Sequence, residues 1–263
     1  MASWDDKRDK EMNLFGGAIG IAAFVLLLGL AVHLQASLPS FVEEVEAEGR
    51  AYLVCRLKHK LHRLELYWQK NGKPIETFRK LFQHVQEQKG ELLLATNGGI
   101  FEPGYEPTGL HVENGQELLP LNKDSGKGNF YLEPNGVFFI QNEKPAIMST
   151  KEYAQTQRKP EIAFQSGPLL LRQGNIHHRF RKESTSVYIR SGIGLTDEGK
   201  VVLVLSEEKV NLYSFALFFK KTLKCTDALY LDGGISQFFI PGRFTLARKR
   251  RYAGFLAILS RQD

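Results

Sequence analysis

The most constraining feature of the sequence is an uninterrupted apolar run near its start. Residues 14–34 read LFGGAIGIAAFVLLLGLAVHL, contain no Lys, Arg, Asp or Glu, and have His33 as their only titratable side chain. At a rise of about 1.5 Å per residue, a helix of this length crosses about 30 Å of hydrocarbon. The apolar core of a cleaved signal peptide is usually shorter, about 7–15 residues. The run therefore predicts an uncleaved transmembrane signal anchor, with a cleaved signal peptide as the alternative.

The basic residues that flank this run predict its orientation. They precede it at positions 7, 8 and 10, whereas none follows it until Arg50. Basic residues are enriched on the cytoplasmic side of a membrane-spanning helix. The sequence thus predicts a cytoplasmic N-terminus over residues 1–13, an acidic juxtamembrane segment over 35–50, and a folded domain over 51–263 on the far side of the membrane.

Composition narrows the class of this domain. The chain has 263 residues, of which 43% are hydrophobic and 24% charged, so it can bury a sizeable core and is not a disordered tail. Its two cysteines, Cys55 and Cys225, are too few for a zinc site built from thiolates. An exported domain would allow them to form a disulfide, and two unpaired buried thiols are the alternative. The net charge of +6 indicates anionic partners without naming them.

Beyond residue 50, short apolar strands alternate with turn residues, and only three segments have helical spacing. No repeat and no Pro/Ser-rich linker divides this part of the chain. The pattern predicts one α+β domain with a large mixed or mostly antiparallel sheet and a few helices. Helices are predicted over 75–88, 150–156 and 212–221. Strands are predicted over 52–57, 64–69, 92–96, 162–165, 169–171, 186–195, 201–206, 228–231, 237–240 and 252–259, with hairpins that join 109–113 to 117–119 and 130–132 to 137–141.

Several familiar chemistries have no counterpart in the sequence. There is neither a GxSxG elbow nor a phosphate-binding loop that ends in Gly-Lys-Ser/Thr. Residues 191–194, Ser-Gly-Ile-Gly, lie inside a strand pattern and predict a bend rather than a dinucleotide site. The pair His177-His178 lacks the spacing of a helical zinc site. We therefore predict no metal and no cofactor.

Polar residues that end apolar strands beside glycine are the candidates for a site. Asn97 and Asp232 each follow a strand and precede two glycines, which let the chain turn sharply and let a ligand approach the backbone. Plain turns are the alternative for both residues. Arg190 stands in an apolar stretch, either on a solvent-exposed face or as a buried guanidinium that clamps an anion.

These residues fall in ordered blocks that resemble the phosphodiester glycosidase family, and the blocks cover about residues 90–260. They are Ala95-Thr96-Asn97-Gly98-Gly99-Ile100-Phe101, residues 107–115, 128–130, 134–138 and 165–170, Arg190 with Ile193-Gly194, residues 210–216, and Leu229-Tyr230-Leu231-Asp232-Gly233-Gly234-Ile235-Ser236. The family includes the animal uncovering enzyme and many bacterial exported or membrane-anchored proteins. This chain is similar to the bacterial members, which implies a single-pass inner-membrane protein with a periplasmic or extracellular domain.

The resemblance implies hydrolysis of a sugar-1-phosphodiester, such as one of N-acetylglucosamine, at the glycosidic C1–O bond. It implies Asp232 as base or nucleophile, Arg190 as the group that neutralises the phosphate, and Glu102 as a second carboxylate if a general acid is needed. The implied substrate-binding residues are Asn97, Gly98, Ser166, Gly167, Gly233, Gly234 and Ser236. A non-catalytic module that binds acidic or phosphorylated glycans during envelope or exopolysaccharide assembly is the alternative.

Two basic patches complete the sequence evidence. Residues 179–182 read Arg-Phe-Arg-Lys and residues 248–251 read Arg-Lys-Arg-Arg. They are typical of a solvated face, and they also suit anionic lipid headgroups or acidic glycans near an anchored domain. The aromatic residues beside them form no RNA-binding motif, so we predict no nucleic-acid partner.

Overall fold

Antiparallel β-strands make up most of the ordered chain. The computed structural model describes residues 37–243 and 250–261. The described residues from Leu38 to Pro241 and from Arg250 to Arg261 belong to one compact unit. No helix within the described ranges is long and apolar enough to cross a membrane. The predicted anchor at 14–34 lies outside those ranges, as do Arg248 and Lys249 of the second basic patch.

Twenty strands and three helices are assigned in the described residues, and they are numbered here in chain order. The strands are β1 (Val42–Ala47), β2 (Arg50–Arg56), β3 (His62–Tyr67), β4 (Gln69–Lys70), β5 (Lys73–Pro74), β6 (Leu92–Asn97), β7 (Phe101–Glu102), β8 (Glu106–Pro107), β9 (His111–Glu113), β10 (Gln116–Leu119), β11 (Gly136–Gln141), β12 (Lys144–Ser149), β13 (Ile162–Ser166), β14 (Leu169–Arg172), β15 (Asn175–Ile176), β16 (Ser191–Thr196), β17 (Val201–Ser206), β18 (Cys225–Tyr230), β19 (Phe238–Phe239) and β20 (Phe255–Ser260). The helices are α1 (Phe78–Glu87), α2 (Thr150–Ala154) and α3 (Leu212–Lys221).

The strands divide among three antiparallel sheets rather than one large sheet. The seven-stranded sheet has the order β1-β2-β17-β16-β18-β14-β15, the five-stranded sheet β10-β9-β13-β11-β12, and the four-stranded sheet β19-β6-β20-β3. Two ribbons, β4-β5 and β7-β8, complete the set. The α+β class with few helices is confirmed. The predicted large antiparallel sheet is the seven-stranded one. The division of the other strands into two further sheets was not predicted, because side-chain alternation shows which face of a strand is buried but not which strand lies beside it.

The three sheets enclose one apolar core between their inner faces. Phe164 of the five-stranded sheet, Ile193 of the seven-stranded sheet and Leu256 of the four-stranded sheet all belong to the same buried cluster. Each outer face packs against one helix: α3 covers the seven-stranded sheet, α1 the four-stranded sheet and α2 the five-stranded sheet. The ends of strands from all three sheets therefore meet around a shared interior.

The glycines of residues 191–194 have a packing role inside β16. A Cβ on Gly194 would stand 2.7 Å from the Phe219 ring of α3, and one on Gly192 would stand 3.0 Å from the same ring. These glycines let α3 approach the sheet closely. The residues lie within a regular strand, so the predicted bend is wrong.

Several predicted boundaries differ in the structure. Residues 42–47, predicted to lie before the domain, form β1, which pairs along its whole length with β2. Val42 faces the core between the sheets, and Val45 packs on the opposite face, on the side of α3. The predicted hairpin of residues 130–132 with 137–141 is wrong, since β11 pairs instead with β12 across Asn142 and Glu143, both with positive φ. The predicted strand 186–195 begins only at Ser191.

The helix predictions hold more closely. Helix α3 has the predicted bounds, and α2 begins at the predicted residue behind a Ser149–Glu152 capping box. Helix α1 begins three residues later than expected, because the Thr77 side chain accepts a hydrogen bond from the Lys80 N–H and caps the helix there.

The two cysteines are free and buried. Cys55 is on β2 and Cys225 on β18, with β17 and β16 between them, and Leu229 rather than Cys225 is level with Cys55, so strand spacing puts the two cysteines at least about 14 Å apart. A disulfide needs Cα atoms within about 7 Å. Of the two alternatives left open by the sequence, the unpaired thiols are the one observed.

Candidate functional site

The ends of strands from the three sheets meet around the turn that follows β18. Asn97 ends β6, Ser166 ends β13, and Ser191 begins β16. The Ser191 hydroxyl donates a hydrogen bond to Asn97 Oδ1 at 3.0 Å, which joins the seven-stranded sheet to the four-stranded sheet. The Ser166 hydroxyl donates to the Leu231 carbonyl at 3.1 Å and joins the five-stranded sheet to the same place. The three sheets thus hold the turn 232–236 from three sides.

This turn presents the Asp232 carboxylate. Its Oδ1 accepts a hydrogen bond from the Gly234 N–H at 2.8 Å, and the Ser236 hydroxyl donates to the Asp232 carbonyl. The carboxylate is half-buried, and burial raises its pKa, although the Gly234 N–H and the Arg250 charge act in the opposite direction. These two hydrogen bonds hold the backbone of the turn in place. Because its pKa is raised, the Asp232 carboxylate is a stronger base than that of an ordinary aspartate.

Asn97 holds the turn from beneath. Its amide oxygen accepts from the hydroxyls of Ser191 and Thr96, and its amide nitrogen donates to the carbonyls of Gly98 at 3.3 Å and Asp232 at 3.5 Å. The side chain is fully buried. Every polar atom of this amide therefore has a protein partner, and Asn97 helps to position the turn.

Ser236 is used in the same way. Its hydroxyl is buried and lies 3.0 Å from the Ser191 hydroxyl in addition to its bond with the Asp232 carbonyl. The sequence predicted that Asn97 and Ser236 hold substrate oxygens, but in the structure both side chains are committed to internal hydrogen bonds. Ser191, which connects them, was missed, because a serine at the start of an apolar strand carries no signal of its own.

The glycines near the turn let other backbone segments of the chain pack closely against them. A Cβ on Gly99 would stand 2.6 Å from the Gln165 carbonyl, and one on Gly167 would stand 2.6 Å from the Phe130 carbonyl. The Gly98 N–H donates to the Gly254 carbonyl at 2.7 Å, so it is not free to bind an anion. A Cβ on Gly233 would overlap the Tyr230 hydroxyl. Gly234 has more room, with only Asp232 Oδ1 nearby at 3.4 Å.

Arg190 is buried, so the alternative of a solvent-exposed arginine is wrong. It is 1% exposed and donates from Nε to the Val210 carbonyl at 2.7 Å and from Nη2 to the Ser186 carbonyl at 2.9 Å. Its guanidinium lies against the rings of Tyr188 and Tyr230. Burial lowers its pKa. Within the described ranges it forms no ion pair with a carboxylate.

Tyr230 connects this guanidinium to the Asp232 turn. Arg190 Nη1 donates to the Tyr230 hydroxyl at 2.9 Å, and the same oxygen accepts a hydrogen bond from the Gly233 backbone. Burial raises the pKa of Tyr230 to about 12, so its hydroxyl stays protonated. The positive charge of Arg190 is therefore held next to Gly233, the residue that follows Asp232.

Glu102 lies apart from this network. It is exposed on the β7-β8 ribbon, and its carboxylate has no hydrogen bond to Asp232 or Arg190 among the described residues. Its predicted role as a second carboxylate therefore stays a prediction.

His177 and His178 lie side by side in the structure. Their rings stack at 4.9 Å, and burial lowers the pKa of His177 to about 4, which keeps that ring neutral. The described part of the chain contains no group of three or more His, Cys, Asp or Glu that could hold a metal ion.

Comparison with known proteins agrees with this architecture. Residues 90–253 match the family model described as phosphodiester glycosidase, and the chain belongs to this family. It is 39% identical over 181 residues to the uncharacterized protein YigE of Escherichia coli K12, which covers 68% of this chain and 70% of that protein.

Two solved structures share the fold. The catalytic domain of zebrafish N-acetylglucosamine-1-phosphodiester alpha-N-acetylglucosaminidase, auto-inhibited by its pro-peptide, superposes with a TM-score of 0.59 at 16% identity, over 86% of this chain and 85% of that one. A hypothetical protein from Synechocystis gives a TM-score of 0.51 at 15% identity, over 84% and 61% of the two chains. At these identities the likeness is one of fold.

Proposed function

We propose that this chain is a membrane-anchored hydrolase that cleaves the glycosidic bond of a sugar-1-phosphodiester of the N-acetylglucosamine type. The observation that carries the proposal is the Asp232 turn, which joins three sheets, presents a carboxylate of raised pKa and has the Arg190 guanidinium behind it. A carboxylate and a cation at one place are what the cleavage of an anionic glycoside needs. Membership of the phosphodiester glycosidase family supports this class of reaction.

The reaction breaks the bond between the sugar C1 and the phosphate oxygen. The electron pair of that bond leaves with the phosphate, and a water oxygen forms the new bond to C1. A phosphomonoester has a second pKa of about 6 and therefore leaves with little need for a proton. One carboxylate then suffices, whereas an ordinary glycoside needs a pair of them.

Asp232 has one of two roles in this scheme. As a general base it takes a proton from the attacking water, and the configuration at C1 is inverted. As a nucleophile it first bonds to C1 and is released by water, and the configuration is retained. Nuclear magnetic resonance of the newly released sugar distinguishes the two roles.

Arg190 stabilises the negative charge of the phosphate. Three of its five N–H groups are used by Val210, Tyr230 and Ser186. Because the guanidinium is buried, its charge is weakly screened by water, and an anion at this position is bound more strongly than on the surface.

The proposal includes anchoring in a bacterial inner membrane through residues 14–34, with the domain on the periplasmic or external side. It is supported by the length of the apolar run and by the basic residues that precede it. Fractionation of cells that express the full chain, with protease added from the outside, tests this topology.

The activity is tested with the full chain in a non-ionic detergent. We expect it to release free sugar from N-acetylglucosamine-1-phosphodiesters and not from aryl glycosides of the same sugar. Asp232→Asn should reduce turnover by about a thousandfold or more, since it removes the reacting carboxylate but still accepts the Gly234 N–H. Asp197→Asn, at an exposed turn, is the matched control and should retain activity.

The outcomes separate the two candidate functions. Full activity of Asp232→Asn would refute the role of this carboxylate. No release from any substrate, together with measurable binding of acidic glycans, would instead favour the non-catalytic binding module. Glu102→Gln should keep activity within about threefold on phosphodiesters, because their leaving group needs little protonation.

A further inference from the structure

A basic cleft lies beside Arg190, and Arg190 is the one residue of its lining that the proposed reaction uses. Its volume is about 470 Å³, and its lining includes Arg179, Arg181 and Arg190, with Glu183 as the acidic member. Ser184 and Tyr213 contribute hydroxyl groups to the same walls. The cleft therefore combines three guanidinium groups and polar donors with one carboxylate.

The loop that carries two of these arginines is held in place by hydrogen bonds. Asn211 Nδ2 donates to the carbonyls of Lys182 at 2.9 Å and Ser184 at 3.1 Å. Arg190 Nη2 donates to the carbonyl of Ser186 at 2.9 Å. These bonds fix the backbone after Arg181. Before it, the Phe180 N–H donates to the His177 carbonyl at 3.0 Å, so the loop forms a defined wall.

The positive charge of the cleft lacks a matching negative charge. In the ranges that the structure describes, Arg179, Arg181 and Arg190 form no ion pair. Arg190 is 1% exposed, and two of its five N–H groups have no partner among the described residues. A buried charge of this kind is costly unless an anion pairs with it. Leu212 and Tyr213, in the first turn of α3, also line the cleft. The positive end of the α3 helix dipole therefore lies beside it.

The two ends of the Arg190 guanidinium face different surroundings. Nη1 contacts the Tyr230 hydroxyl and stands 3.4 Å from the position of a Cβ on Gly233, beside the Asp232 turn. Nη2 contacts Ser186, which lines the cleft. Arg190 therefore lies between the proposed reaction centre and the basic cleft. A ligand that reaches both places would need one negative charge on each side of Arg190.

We propose that this cleft binds a second oxyanion, a phosphate or a carboxylate, on the leaving group of the substrate. The inference rests on the proposed function, because only that reaction defines a leaving group. Binding of an anion in the cleft, however, does not require turnover. It defines the substrate class as a sugar-1-phosphodiester whose second ester arm is itself acidic. Arginine pairs with both oxyanions through two parallel hydrogen bonds, so both are tested.

The kinetic test uses three synthetic phosphodiesters of N-acetylglucosamine that differ only in the second ester: propyl, 2-carboxyethyl and 2-phosphatoethyl. The double variant Arg179→Gln/Arg181→Gln should raise KM about tenfold or more for the acidic esters and leave KM for the propyl ester unchanged. The value of kcat should stay within about twofold throughout. A larger effect on one acidic ester than on the other identifies the preferred oxyanion.

Lys182→Gln is the matched control. This residue carries the same charge on the same loop but does not line the cleft, so its KM values should equal those of the unmodified chain. Equal changes in KM for all three esters, or equal effects of Lys182→Gln and the double variant, would overturn the proposal.

A binding measurement separates this inference from the proposed function. Calorimetric titration of the full chain with inorganic pyrophosphate should show binding that weakens about tenfold or more in the double variant and not in Lys182→Gln. If no phosphodiester is hydrolysed, the proposed function fails and this titration alone decides the cleft. Pyrophosphate affinity that is absent, or unchanged in the double variant, means that the cleft is not an anion site.

Discussion

The Ser191 hydroxyl lies 3.0 Å from Asn97 Oδ1 and 3.0 Å from Ser236 Oγ, so one side chain joins β16, β6 and the Asp232 turn. All three polar residues are buried. Asn97 and Ser236 in turn bond the Asp232 carbonyl. The proposed catalytic carboxylate is therefore positioned by a buried hydrogen-bond network, most of whose members lie far from Asp232 in the sequence.

Ser191→Ala should reduce both stability and activity. It removes the connection between Asn97 and Ser236, and the loss of a buried hydrogen bond costs about 1–3 kcal/mol of unfolding free energy. We expect kcat to fall about tenfold to a hundredfold, because a small displacement of a reacting group has a large effect on rate. Chemical denaturation and initial rates measure the two effects. A double-mutant cycle with Ser236→Ala should be non-additive, and strict additivity would contradict the network.

Asp232→Asn should be at least as stable as the unmodified chain at neutral pH. Because burial raises the folded-state pKa of Asp232, the unfolded chain loses this proton first as the pH rises. The carboxyl therefore has no effect in acid and becomes destabilising above its ordinary pKa of about 3.9. The melting temperatures of the two proteins should coincide near about pH 3 and diverge toward neutral pH, in favour of the variant. A variant that is less stable at neutral pH would show that the charged form is favoured by the fold.

Gly233→Ala should destabilise the protein, whereas Gly234→Ala should have little effect. The new Cβ at position 233 would overlap the Tyr230 hydroxyl, which is buried and held by Arg190 at 2.9 Å. Overpacking of this kind costs about 1–3 kcal/mol. Thermal unfolding is the measurement. Adding Tyr230→Phe to Gly233→Ala should recover part of the loss, and no recovery would mean that the strain lies elsewhere.

The two cysteines should be unreactive in the folded protein. Burial raises the pKa of Cys225 to about 12 and also raises that of Cys55, so neither is a thiolate at neutral pH. A chromogenic thiol reagent should detect no thiol before unfolding and two thiols after it. A reductant should leave the melting temperature unchanged, whereas a shift would indicate a disulfide.

Local features of the chain were predictable wherever nearby residues decide them. The bounds of α3 follow from its apolar spacing and from the Asn211 cap, and α2 follows from its capping box. The ends of β6 and β18 follow from the change from apolar residues to Asn97-Gly98 and Leu231-Asp232. Membership of the family was predictable from ordered blocks of residues, which the family match confirms.

The environment of each site residue was not predictable in the same way. An arginine after Tyr188 has the same local pattern whether it is exposed or buried, and only the packing of β18 and the loop at Val210 encloses Arg190. Likewise, an asparagine at a strand end is suited to bind a ligand or to hold a turn. Asn97 holds a turn because Ser191 occupies its amide oxygen.

The sequence by itself determined the apolar segment at 14–34, the positions of the helices, the strand ends that carry Asn97 and Asp232, and the family. The tertiary structure alone decided how the strands divide into three sheets, that Arg190 is buried, and that Ser191 connects Asn97 to Ser236. The physical reason is the distance along the sequence between the residues that interact. Helix caps and turns depend on residues a few positions apart, whereas the bond from Ser191 to Asn97 joins residues 94 positions apart and forms only when separate sheets enclose a common core.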